Sequence, residues 1–301
     1  MSSPIEGPLA ALLTPRLRDG SLDEEALTRN VDFVLERGAT GIVLCGGTGG
    51  YADLSADQRK AIFERADAAR RDRGALIASN GAMRLDSAVE LAEHAFRRGA
   101  DAVLLPPPHF YRYEQDDLEA FYREAARRIP GPILLYNLPA FTTSIEPETA
   151  ARLIESVDNI VGLKDSSGRL DALELLGERL PGRAARILGN DNALEPALAR
   201  GLIDAVISGP AGVVPEITSA LFRSAQPPPD GRFKRLMELF KEYVARIDAF
   251  PYPWGIQWTA EARGLFAADV PLPLSERRRA GLDEFRVWLK PWLETVSAEL
   301  D

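Results

Sequence analysis

A chain of 301 residues with a formal net charge of -9 is long enough for one large α/β barrel with an appendage or for two ordinary domains. The acidic balance argues against a nucleic-acid or anionic-membrane partner, because a sequence-independent grip on phosphates needs a basic face, and it leaves a small molecule as the expected partner. A lone cysteine, Cys45, excludes an intrachain disulfide, and with only His94 and His109 beside it the soft ligands of a typical zinc site are lacking.

The N-terminal Met1-Ser2-Ser3-Pro4-Ile5-Glu6 has no basic region leading into an apolar one, and no stretch reaches membrane-spanning length, so a cytoplasmic protein is expected. From Pro8 onward short apolar runs alternate with longer segments of helical period, the signature of repeated βα units. Strands are predicted at Pro8–Thr14, Gly41–Gly46, Ala75–Asn80, Ala102–Pro106, Ile133–Asn137, Ile160–Lys164, Arg186–Gly189 and Ala205–Ser208. Eight such repeats predict an α/β protein with a closed (β/α)8 TIM barrel. In the first helical segment Leu27, Val31, Val34 and Leu35 recur at helical spacing and Gly38 stands at the C-terminal cap. Cys45 closes an apolar run and reads as a small buried hydrophobe, and the Arg70-Arg71-Asp72-Arg73 cluster reads as a solvated outer face.

At Gln226-Pro227-Pro228-Pro229-Asp230-Gly231 the pattern breaks, and helices without intervening strands follow around Arg232–Ile247, Trp254–Leu265 and Ser275–Val296. The expected organisation is a barrel over residues 1–225 and a three-helix region over residues 226–301. Trp254, Trp258, Trp288 and Trp292 recur in pairs at helical spacing and are expected to serve packing or subunit contacts.

Active sites of such barrels lie at the carboxyl ends of the strands. Those ends carry Gly46-Gly47-Thr48-Gly49-Gly50, Tyr136-Asn137-Leu138-Pro139, Lys164-Asp165-Ser166-Ser167, Gly189-Asn190-Asp191-Asn192 and Ser208-Gly209-Pro210-Ala211-Gly212. The chain has five lysines against 31 arginines, and Lys164 alone ends an apolar strand. A lysine among apolar walls loses solvation of its charged form, and its neutral amine becomes a nucleophile toward carbonyl carbon. Arginine stays protonated and cannot do this. The competing reading is a lysine paired with a carboxylate such as Asp165. Tyr136, on the preceding strand at similar depth, offers a phenol for proton transfer; it also suits plain filling of the barrel interior. The glycine turn suits a phosphate, a carboxylate or simply a tight turn. Beside an amine nucleophile it reads best as a carboxylate clamp, with the Thr48 hydroxyl and the Thr48 and Gly49 amides as donors.

Together, Gly46-Gly47-Thr48-Gly49, Tyr136-Asn137-Leu138-Pro139 and Gly162-Leu163-Lys164-Asp165, with Gly189-Asn190-Asp191 and Ile207-Ser208 further on, resemble the dihydrodipicolinate synthase/N-acetylneuraminate lyase family, from about Pro8 to the C-terminus. The resemblance implies a barrel with a C-terminal three-helix region, a homotetramer, and no metal or organic cofactor. It assigns Lys164 as the Schiff-base lysine, Tyr136 as the proton-relay phenol, Thr48 and adjoining amides as the 2-keto carboxylate clamp, and Gly189 and Ile207 as borders of the site.

Four positions depart from the synthase branch. Gly47 replaces a relay hydroxyl, Phe110 (with Tyr111 adjacent) replaces a tyrosine that reaches across a subunit contact, Phe141 replaces an arginine for the second substrate's carboxylate, and Gly50 replaces a glutamate. Losing a charge-assisted clamp at Phe141 costs about 1.5–3 kcal/mol of the interaction made there, which disfavours a dicarboxylate acceptor. Asn190, Asp191, Asn192 and Ser208 suit a polyol instead. The leading reading is therefore reversible aldol cleavage of a 2-keto-3-deoxy sugar acid to pyruvate and an aldehyde. Its alternatives are a sugar-acid dehydratase, a 4-hydroxy-tetrahydrodipicolinate synthase or an N-acetylneuraminate lyase, and, outside enzymes, a non-catalytic barrel that binds a 2-keto acid.

Overall fold

The computed structural model describes residues 5–225 and 231–300. Its strands are β1 (Gly7–Ala11), β2 (Gly41–Leu44), β3 (Ala75–Ser79), β4 (Ala102–Leu105), β5 (Ile133–Asn137), β6 (Ile160–Asp165), β7 (Ala185–Leu188) and β8 (Ala205–Ser208). Each pairs in parallel with its neighbours in chain order, and β8 closes on β1. Strand residues alternate between two environments, as the period of two requires. Leu9, Val43, Ile77, Leu104, Leu134 and Ile187 fill the barrel interior, while Ala10, Ile42, Leu44, Leu76, Val103 and Leu135 face the helices.

Those helices are α1 (Glu24–Glu36), α2 (Ala56–Arg70), α3 (Leu85–Arg97), α4 (Gln115–Arg128), α5 (Pro147–Ser156), α6 (Asp171–Arg179), α7 (Leu194–Ala199) and α8 (Pro215–Ser224). Their starts follow local chemistry: Ser55 and Gln58 form a capping box at α2, and Pro147 opens α5. Gly38 after α1 takes a φ of +95°, the left-handed geometry its predicted cap position requires.

The first strand is shorter than the period suggests. Leu12 N–H still donates to Val43 O, but at Cys45 the chain takes a φ of 53° and turns into the glycine run, so residues beyond Leu12 have no β2 edge to pair with. Cys45 itself is buried. At the other side of the site the β5–β6 register shifts between Ile133, which faces Ile160, and Leu134, which faces Gly162. Val161 is thereby left without a partner, a bulge, and the shift sets Tyr136 opposite Lys164.

Three further helices follow: α9 (Gly231–Asp248), α10 (Trp254–Ala262) and α11 (Glu276–Leu300). They match the predicted segments. The breaker cluster at residues 226–230, where the domain boundary is expected, and Met1 to Pro4 lie outside the described residues. Phe233, Phe240 and Tyr243 of α9 share one apolar cluster with Leu188, Val206 and Leu221 of the barrel and with Trp258, Phe285 and Trp292. The tryptophans pack within the chain: Tyr243 stacks on Trp292 with centroids 4.9 Å apart, and Phe250 meets Trp258 edge-on at 4.7 Å. No described helix is long and apolar enough to cross a membrane.

Candidate active site

At the carboxyl ends of the strands a cavity of about 240 Å³ opens between the barrel and α9. A larger one, of about 610 Å³, lies at the opposite end. There Arg186 is already paired with Asp204 at 2.7 Å, and neither a lysine nor a tyrosine lines it, so the chemistry points to the smaller cavity.

Lys164 projects into that cavity from β6 and is 5% exposed. Among the described residues no carboxylate stands within ion-pair distance of its amine. Asp165, adjacent on the strand, lies on the other face, where it accepts from Ser167 N at 2.7 Å and Asn137 Nδ2 at 3.2 Å. The Lys164 ammonium nitrogen instead lies 4.3 Å from the centroid of the Tyr136 ring. Gly189 makes room for it: a Cβ there would come within 2.7 Å of Lys164 Cε and 2.1 Å of Ser166 Oγ. The pair predicted from separate strand ends is one contact.

Gly47, Thr48 and Ile207 also line the cavity, and Phe141, 64% exposed, stands at its mouth. Gly49 lies beneath, where a Cβ would meet Cys45 backbone and Leu12 O at 3.1 Å; its carbonyl accepts from Thr14 Oγ1 at 2.8 Å. Ser208 is fully buried and accepts from Ala211 N at 3.1 Å. Phe110 is not brought in. It is 81% exposed with a φ of 81°, its ring edge-on to Tyr111 at 5.1 Å, and it lies outside the cavity wall of its own chain.

The far end of the cavity is polar. Asp191 Oδ1 is buried without a hydrogen-bond partner, and Asn192 Nδ2 donates to Asp248 Oδ2 at 2.9 Å. Burial pushes the Asp191 carboxyl up to about 7; the Ser208 hydroxyl and the Lys164 charge oppose that, and the Asp248 carboxylate reinforces it. Asp248, Val244 and Ile247 come from α9, and Tyr252 from the segment after it. Strand-end reasoning misses these four, because no apolar strand precedes them. The one signal is their nearness to the breaker-rich Phe250-Pro251-Tyr252-Pro253 stretch.

The family model of the dihydrodipicolinate synthetase family matches residues 4–291. The chain belongs to that family. Its members are lyases of the class I aldolase type, which form a lysine Schiff base with pyruvate, and the protein is such an enzyme. It is 33% identical over 273 residues, 89% of this chain and 92% of the relative, to a 4-hydroxy-tetrahydrodipicolinate synthase of Syntrophus aciditrophicus. To one of Methanopyrus kandleri it is 32% identical over 295 residues, 96% of this chain and 97% of the relative. Among solved structures, the dihydrodipicolinate synthase of Acinetobacter baumannii in complex with pyruvate superposes with a TM-score of 0.86 at 29% identity, covering 93% of this chain and 97% of that one. The 4-hydroxy-tetrahydrodipicolinate synthase of Methylacidiphilum fumariolicum gives 0.90 at 27% identity over 98% and 99% of the two chains.

Proposed function

We propose that the enzyme cleaves a 2-keto-3-deoxy sugar acid reversibly to pyruvate and an aldehyde. The observation that carries the reading is Lys164: a buried amine with no ion-pair partner among the described residues, set against the Tyr136 ring inside the strand-end cavity. Its neutral form adds to the C2 carbonyl, and loss of water leaves the imine. Tyr136 takes the proton of the C4 hydroxyl as the C3–C4 bond breaks; the electron pair runs to the imine nitrogen, the aldehyde leaves, and the enamine is protonated at C3. Water then hydrolyses the imine and frees pyruvate. Thr48 holds the carboxylate throughout.

The polar far end supports a hydroxylated substrate tail. Asp191 and Asn192 face it, and at the mouth the apolar Phe141 supplies no cation for a second carboxylate. The names of the curated relatives support a second reading, synthesis of 4-hydroxy-tetrahydrodipicolinate. We extend the proposal to a cytoplasmic homotetramer with a barrel over residues 1–225 and a helical region over 226–301. The exposed Phe110 and Tyr111 side chains suit burial in a subunit contact.

Borohydride reduction in the presence of pyruvate tests the core of the reading. Peptide mass mapping should place the reduced adduct on Lys164 and find none in Lys164→Ala. A folded wild-type protein without an adduct would refute the imine. A panel of 2-keto-3-deoxy acids then separates the outcomes: pyruvate plus an aldehyde marks the aldolase, retention of the carbon chain with loss of water marks a dehydratase, and turnover confined to the synthase reaction marks the second reading.

A further inference from the structure

The Thr48 hydroxyl has a partner that no strand end supplies. Tyr252, in the short segment between α9 and α10, places its phenol oxygen 2.5 Å from Thr48 Oγ1. The backbone around this contact is shaped to admit the phenol. A Cβ on Gly209 would come within 3.1 Å of the Tyr252 hydroxyl and 2.6 Å of Ile256 Cδ1. A Cβ on Gly47 would stand 3.6 Å from the Tyr136 hydroxyl and 3.9 Å from Tyr252 Cε1. Both phenols thus border the space above Gly47, the position at which a hydroxyl is missing by comparison with the synthase branch.

We propose that Tyr252 is a positioning residue of the carboxylate clamp, which holds the Thr48 hydroxyl so that its single proton points at the keto-acid carboxylate. The inference rests on the imine-forming reading of the site and adds to it a clamp completed by the C-terminal helical region. A threonine hydroxyl has one proton and two lone pairs. If that proton goes to the carboxylate, the contact with Tyr252 must be one in which the phenol donates and Thr48 Oγ1 accepts. A hydrogen bond accepted by a hydroxyl strengthens the one it donates, and fixing the rotor removes the cost of orienting it when substrate arrives.

The surroundings of Tyr252 keep it a donor. Burial of its hydroxyl end pushes the phenol well above the usual tyrosine range, with Thr48 opposing and Tyr136, Asp191 and Asp248 reinforcing. Its ring, by contrast, adds little to the core, since the residue as a whole is 52% exposed. The hydroxyl is the anchored end, so removing it alone should leave the fold intact.

The test is borohydride trapping of the Lys164 adduct across a range of pyruvate concentrations, with Tyr252→Phe, Thr48→Val, Thr48→Ser and the combinations of each with Tyr252→Phe. One neutral hydrogen bond corresponds to about a three- to tenfold effect. Tyr252→Phe should raise the half-saturating pyruvate concentration by that factor, leave the plateau within about twofold, and leave the melting temperature of the unliganded protein unchanged. In Thr48→Val the added Tyr252→Phe change should have no further effect, whereas Thr48→Ser, which keeps the hydroxyl, should remain sensitive to it. A Tyr252→Phe protein that saturates at the wild-type concentration overturns the proposal. So does a loss of equal size in the Thr48→Val background, which would put Tyr252 to work independently of Thr48. A wild-type protein that traps no pyruvate at any concentration would instead refute the imine reading itself, and this inference with it.

Discussion

Asp191 is held in the cavity at a cost that depends on pH. An unfolded aspartate ionises near 3.9, while burial carries the folded carboxyl up to about 7. Between these values the folded protein keeps a proton that the unfolded chain has released, so stability falls as pH rises from about 4 to about 7 and is level beyond. At 1.36 kcal/mol per unit the loss is on the order of 4 kcal/mol, less whatever water reaches the partly accessible side chain. Asp191→Asn should remove this slope: urea unfolding at pH 5 and pH 8 should show the wild type losing stability relative to the variant at the higher pH. Equal changes in both proteins would place the slope elsewhere. The same residue shows what the sequence makes legible. Lys164, Tyr136, Thr48 and Asp191 each follow or end an apolar run, and a barrel turns strand ends into a site. Tyr252 and Asp248 follow no strand; they arrive by the packing of α9, a contact between distant stretches that leaves no local pattern. Phe110 presents the converse: motif order suggests it, yet its side chain lies outside the cavity of its own chain.

At the scale of elements, β6 places the nucleophile. Its approach to β7 is close enough that a Cβ on Gly162 would stand 2.4 Å from Ala185 O and 2.7 Å from Ala185 Cβ. Backbone cannot step aside as a flexible side chain can, so Gly162→Ala should destabilise the fold by about 1–3 kcal/mol through overpacking. Chemical denaturation measures this directly, and an unchanged midpoint would mean that the strands separate at no cost. The strand itself was legible as a run of apolar residues, and seven of its fellows were equally so. The bulge at Val161 was not. A period-two pattern is satisfied on either side of it, and the one-residue shift that brings Lys164 opposite Tyr136 shows only once the pairing is known. The end of β1 was illegible for a related reason: the apolar run continues to Leu13, but the partner strand has already turned away at Cys45.

Across the whole molecule the three C-terminal helices and the barrel share one apolar cluster, which runs from Leu13 and Leu188 through Phe240 and Tyr243 to Trp292. All four tryptophans, at positions 254, 258, 288 and 292, belong to this region, so their fluorescence reports on it, while far-UV circular dichroism follows the barrel as well. If the helical region unfolded by itself, it would expose the apolar face that α9 lays against α8, and no second core would compensate. The two signals should therefore trace one coincident urea transition. Because the cavity wall is built from both parts, pyruvate at about 100 times its dissociation constant should displace both curves together by about 2.7 kcal/mol. An earlier fluorescence transition that pyruvate leaves in place would show that the helices fold apart from the site. A shared transition moved as one by the ligand would tie the stability of the C-terminal region to the occupancy of Lys164.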